Sequence, residues 1–125
     1  MITREYEAET CTLKAKFAGN LTLDELLQHL NHLSESDEYD RRLHILTDGH
    51  EAKVDFPVDA IESVMAATAK AVQGYVSVRE AILVDGPLEA AYATIYQSIN
   101  DIENYCVQVF STIEAAQEWL YEKDA

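Results

Sequence analysis

Basic side chains are scarce in this sequence. Nine lysines and arginines stand against 23 aspartates and glutamates among 125 residues, a formal charge of -14. Phosphate backbones and anionic headgroups are held by neutralising them with Lys and Arg, so this balance excludes a general nucleic-acid binder and a basic membrane-surface patch. Long apolar runs are also missing, where roughly 20 consecutive residues are needed to cross a bilayer, and no membrane insertion is expected. The N-terminus, Met1-Ile2-Thr3-Arg4-Glu5-Tyr6-Glu7, is charged and alternating and lacks a secretory pattern, which points to the cytoplasm. Cys11 and Cys106 are far apart, each in a strand-like run, and read as reduced core thiols rather than a disulfide framework. The sequence has no Gly-rich phosphate loop, no Gly-x-Ser-x-Gly elbow and no His-Glu-x-x-His, and Ser63, Ser77 and Ser98 have no histidine and acid arranged around them. No enzyme and no cofactor is therefore expected.

What is present is a well-patterned α/β chain, read as one domain over residues 1–125, with 48% apolar residues. Ile2 to Ala8 alternates weakly and Thr10 to Phe17 strictly, which predicts an antiparallel hairpin broken at Glu9-Thr10. Thr22-Leu23-Asp24-Glu25 forms a capping box, and Leu23, Leu26, Leu27, Leu30 and Leu33 continue it as an amphipathic helix. Leu43 to Thr47 reads as a buried strand closed by Asp48-Gly49, with Thr47 to Asp55 as a loop. Asp55-Phe56-Pro57 caps a second helix with Val58, Ile61, Val64, Met65, Thr68 and Val72 inward, stopped by Gly74. Val76 to Val84 is a second buried strand. Pro87 opens a third helix lined by Leu88, Ala91, Tyr92, Ile95, Ile99 and Ile102. Tyr105 to Phe110 is a strand, followed by a capping box at Ser111-Thr112-Ile113-Glu114 and a terminal helix with Ala115, Ala116, Trp119 and Leu120. The order β-β-α-β-α-β-α-β-α implies a mixed, mostly parallel sheet with packed helices.

Three groups of residues are candidate sites. Asp48, His50, Asp55 and Asp85 form an acidic rim at strand ends, where ligands of open α/β sheets sit, although Asp before Gly is also ordinary turn chemistry. His29 and His32 have the one-turn spacing of a zinc pair, but a third ligand is missing and both project away from the leucine stripe, so they read as exposed and no metal is assigned. Phe56, Met65, Tyr92 and Tyr96 can line an apolar pocket between helices and sheet.

Several segments together carry a family resemblance. They are Gly19-Asn20-Leu21-Thr22-Leu23-Asp24-Glu25-Leu26, Leu46-Thr47-Asp48, Arg79-Glu80-Ala81-Ile82-Leu83-Val84 and the closing Val109-Phe110-Ser111-Thr112-Ile113-Glu114-Ala115-Ala116-Gln117-Glu118-Trp119-Leu120. With the element order, they resemble the SpoIIAA-like proteins, bacterial relatives of the STAS domain of anti-sigma-factor antagonists. The resemblance implies a non-enzymatic regulatory module that binds a protein partner, with a homodimer as one form. The alternative is a carrier or sensor of a small apolar ligand or lipid. The antagonists are switched by phosphorylation of a serine at the start of the helix after the central strand. The matching stretch here, residues 48–57, has no serine or threonine, so no phosphoswitch is carried over.

Overall fold

The two N-terminal segments pair as their alternation dictates, and the remaining strands add to them in chain order. The computed structural model describes residues 1–122. Its elements are β1 (Ile2–Glu7), β2 (Thr12–Thr22), α1 (Leu23–Glu35), β3 (Arg42–Asp55), α2 (Ile61–Ala71), β4 (Ser77–Leu83), α3 (Pro87–Ser98), β5 (Tyr105–Phe110) and α4 (Ile113–Leu120). The five strands lie in the order β1-β2-β3-β4-β5, with β1 antiparallel to β2 and every other pair parallel. Each crossover steps one strand in the same direction, and a single handedness of crossover then lands α1, α2 and α3 on one face. On that face Leu13, Leu30, Leu33, Leu43, Ile45, Val64, Val72 and Val78 form the main core. The last helix, α4, covers the other face, where Ala116 and Leu120 are fully buried against Leu46, Ala81 and Leu83. Arg79 fixes it there: its guanidinium lies 4.0 Å over the Trp119 ring and donates to the Trp119 carbonyl at 2.8 and 3.1 Å. Among the described residues, no helix is long and apolar enough to cross a membrane.

The helix ends follow local chemistry. Thr22 accepts the Glu25 backbone N–H at 3.2 Å, and the Glu25 carboxylate takes the Thr22 N–H and the N-terminal ammonium at 2.9 Å. The cap of α4 sits one residue later than the sequence pattern places it: Thr112, not Ser111, accepts from the Ala115 N–H at 3.3 Å. Asp55 caps no helix, because it is the last residue of β3, and Pro57 instead opens a 3-10 turn that leaves Val58 exposed. The cysteines also differ from expectation. Cys106 points outward from β5, and Cys11 is half-buried in the connection after β1.

The largest departure is at residues 47–55, which are strand and not loop. Both β2 and β3 run on past the end of β4 as a two-stranded ribbon, pairing Ala18 with Glu51 through Thr22 with Asp55. Ala52 and Val54 alternate with exposed Glu51, Lys53 and Asp55, a period-2 signal that the Asp48-Gly49 turn signature masks. Instead of a turn, that dipeptide makes a bulge. The register jumps from Lys16–Asp48 to Ala18–Glu51, so Gly49 and His50 together oppose Phe17. Gly49 is required by space: a Cβ there would stand 2.9 Å from the Leu83 carbonyl oxygen. Gly49→Ala should therefore cost about 1–3 kcal/mol, read as a lower urea midpoint, since only backbone movement relieves the clash. A midpoint equal to that of the wild type would contradict this account of the bulge.

Candidate functional site

One residue of β4 does not suit a strand covered on both faces. Val78, Ala81 and Leu83 are buried, and among them stands Glu80. The parallel register sets Ile45, Glu80 and Val107 level on neighbouring strands, so Thr47, two residues along β3, and Tyr105, two back on β5, share the helix-side face with Glu80. The carboxyl is bonded by both. Thr47 donates to Oε2 at 2.5 Å, and the Tyr105 hydroxyl is hydrogen-bonded to Oε1. From Tyr105 the chain continues to the Tyr96 hydroxyl at 2.9 Å, then to Thr68 Oγ1 at 2.7 Å, which donates to the Val64 carbonyl at 2.9 Å. Burial pushes the Glu80 carboxyl above the usual carboxylate range against the opposing effect of its two hydroxyl partners. The same desolvation drives the Tyr96 and Tyr105 phenols up, so both stay protonated.

This network forms the polar end of a cavity of about 130 Å³ between the sheet and α1, α2 and α3. Apart from His29 and Glu89, the rest of the wall is mostly apolar, with Phe17, Leu21, Leu30, Val54, Phe56 and Tyr92 prominent in it. The cavity reaches the carboxyl ends of β3 and β4, where the β2–β3 ribbon faces α3. Glu89 of α3 accepts the Val54 N–H at 3.0 Å, which satisfies an edge of β3 that no longer has β4 beside it. Tyr92 donates to the Phe56 carbonyl at 2.7 Å, and the two rings meet edge-on at 5.5 Å. The inward stripe of α3 is thus Glu89, Tyr92, Ala93 and Tyr96. Leu88, Ala91, Ile95 and Ile99, expected inside, lie exposed on the outer side because the hydrophobic period alone could not choose between two apolar stripes.

Of the four residues proposed for an apolar pocket, Phe56, Tyr92 and Tyr96 meet at the cavity, while Met65 is buried in α2 away from its wall. The acidic rim lies outside the cavity. Asp48 accepts from the His50 backbone N–H at 3.1 Å and pairs with its Nδ1 at 2.9 Å, a contact that raises the His50 pKa with a smaller contribution from Asp85. Asp55, at the far end of the β3 ribbon, does not join them. The sequence pattern marks none of Glu80, Thr47, Tyr105 and Glu89 as site residues, and it offers His29 only as half of a zinc pair. The available signal is an acid, next to Arg79, in a strand whose other residues from Val78 to Leu83 are apolar.

His29 is not the exposed side chain its helical projection suggested. Only 6% of it is accessible, it lines the cavity, and its ring meets Phe17 edge-on at 5.5 Å. Its partner His32 bonds instead to the Tyr39 hydroxyl at 2.8 Å. Arg4 lies 3.1 Å from His29 Nδ1 and can only donate, so Nδ1 accepts and the proton of the neutral ring sits on Nε2. Desolvation first, then the charges of Arg4 and His32, lower the His29 pKa from 6.5 to about 4. Between those values the unfolded chain binds a proton that the folded protein refuses, so stability falls as pH drops through the window, by ~3 kcal/mol in full. Urea unfolding of wild type and His29→Gln from pH 7 to pH 4 should show the wild type losing that much relative to the variant. Parallel pH profiles would contradict the buried neutral histidine.

No protein-family model matches the sequence, and no curated protein sequence does either. Solved structures do. A crystal structure of an uncharacterized DUF3478-family protein from Shewanella loihica PV-4, described as having a SpoIIAA-like fold, superposes with a TM-score of 0.61 at 18% identity. The match covers 96% of this chain and 92% of that one. The five-stranded mixed sheet and its four helices thus have the architecture the sequence pattern implied, and the chain has a SpoIIAA-like fold.

Proposed function

We propose that this protein is a non-catalytic regulatory module that holds a small apolar molecule between its sheet and helices. The cavity of about 130 Å³ supports this reading: it is close in size to engineered apolar cavities that take up benzene. Its wall includes two carboxyl groups, Glu80 and Glu89, and among the described residues no lysine or arginine, which disfavours anionic ligands such as fatty acids or phosphates. Among the described residues, the same wall has no serine, cysteine or lysine, and its threonine, tyrosine and acid groups are hydrogen-bonded to one another or to backbone groups. This chemistry supports binding rather than turnover.

A second reading, docking of a protein partner or a second copy, is favoured by the outer stripe of α3, where Leu88, Ile95 and Ile99 are 51%, 38% and 37% exposed. Native mass spectrometry after detergent-free purification addresses both. The ligand reading expects an added mass on the monomer that denaturation releases, and its loss in Ala93→Leu, which fills the cavity from α3. A dimer without added mass, unchanged by Ala93→Leu and dissociated by Ile95→Glu, would shift the assignment to docking.

A further inference from the structure

We propose that the Glu80 end of the cavity accepts hydrogen bonds and donates none, so that it takes an uncharged, single-ring-sized apolar molecule bearing one O–H or N–H group. The inference rests on the ligand-binding reading above. It follows from a count of protons. Thr47–Glu80, Glu80–Tyr105, Tyr105–Tyr96, Tyr96–Thr68 and Thr68–Val64 carbonyl make five links. Each needs one proton, and the four hydroxyls bring four. The fifth is the carboxyl's own.

With Glu80 neutral, all five links are satisfied in one direction. Tyr105 donates to an ionised Glu80, and protonation reverses that bond: Thr47 donates to one carboxyl oxygen, the carboxyl O–H to Tyr105, and Tyr105, Tyr96 and Thr68 pass the sense on to the Val64 carbonyl. Every proton is then spent inside the protein, and only oxygen lone pairs remain toward the cavity. With Glu80 ionised, one link lacks its proton and two oxygens confront each other at hydrogen-bond distance, a buried mismatch that the neutral form avoids. In neither state does this end hold a proton to offer. A ligand carbonyl placed there meets lone pairs, whereas a ligand O–H or N–H finds an acceptor.

The other titratable groups on the wall do not alter the count. Glu89 uses its carboxylate on the Val54 N–H, and the His29 ring packs edge-on against Phe17 on β2, two strands from Glu80. A carboxylate ligand would meet two acids without a cation among the lining residues.

Benzyl alcohol, benzaldehyde, toluene and benzoate share one ring and differ in their polar group, and titration of each by protein-observed NMR tests the idea. Benzyl alcohol should bind roughly tenfold tighter than benzaldehyde, with benzoate weakest, a ratio typical of one buried hydrogen bond made or left unmade. Glu80→Gln places an amide with a spare N–H at the same point, so it should narrow or invert the preference for alcohol over aldehyde, a change that altered packing alone would not produce. Benzaldehyde binding wild type as tightly as benzyl alcohol, or a preference unmoved in Glu80→Gln, overturns the inference while leaving the cavity a ligand site. If no probe shifts resonances of the cavity residues, the ligand reading falls and the inference with it.

Discussion

A single carboxyl group ties most of this fold together. Glu80 joins β4 to β3 through Thr47 and to β5 through Tyr105, and Tyr105 extends the tie through Tyr96 of α3 to Thr68 of α2. Burial raises the Glu80 pKa, and the cost of placing a carboxyl at this depth is offset because every polar atom around it is paired. Among the described residues, no buried side-chain nitrogen or oxygen is left without a partner. A fully satisfied network of this kind orients three strands and two helices at once, which apolar contacts alone do with less directional precision.

The cavity is the other consequence of the same geometry. Tyr96 and Tyr105 spend their hydroxyls on the network, and their rings meet edge-on at 6.3 Å in the cavity wall. The β2–β3 ribbon then supplies the wall that β4, ending at Leu83, is too short to provide. Glu89 and Tyr92 fasten α3 to the β3 strand and the segment just after it through backbone groups of Val54 and Phe56, which holds that side of the cavity in place. Binding in such a space depends on shape and on a few oriented polar atoms.

Much of this was legible in the sequence because period and capping are local properties. The strand and helix order, the Thr22 cap and the inward faces of α1 and α2 followed from spacing alone. Three features did not. Asp48-Gly49 carries turn chemistry, yet Gly49 is there to let β3 pass the Leu83 carbonyl, a constraint set by a strand 34 residues away. Two apolar stripes on α3 compete, and the aromatic one wins because Tyr96 has partners for its hydroxyl inside. His29 is a polar residue on an otherwise amphipathic helix, and its burial depends on Phe17 and Arg4 from strands that the helical projection does not include. Of the site, the aromatic wall was readable, but the acid at its end was hidden, next to Arg79, in an otherwise apolar strand. Its role became visible only when the register placed Thr47 and Tyr105 beside it.

The protonation state of Glu80 carries the account, and carbon NMR of the glutamate side-chain carboxyls through a pH titration reads it directly. The Glu80 carboxyl carbon should resonate as a neutral acid at pH 7, shifted apart from the ionised surface glutamates. A Glu80 signal that is already carboxylate at pH 7 and titrates near the ordinary value of ~4.3 would contradict the neutral acid, and with it the proton count on which the fold's polar centre and its proposed ligand preference depend.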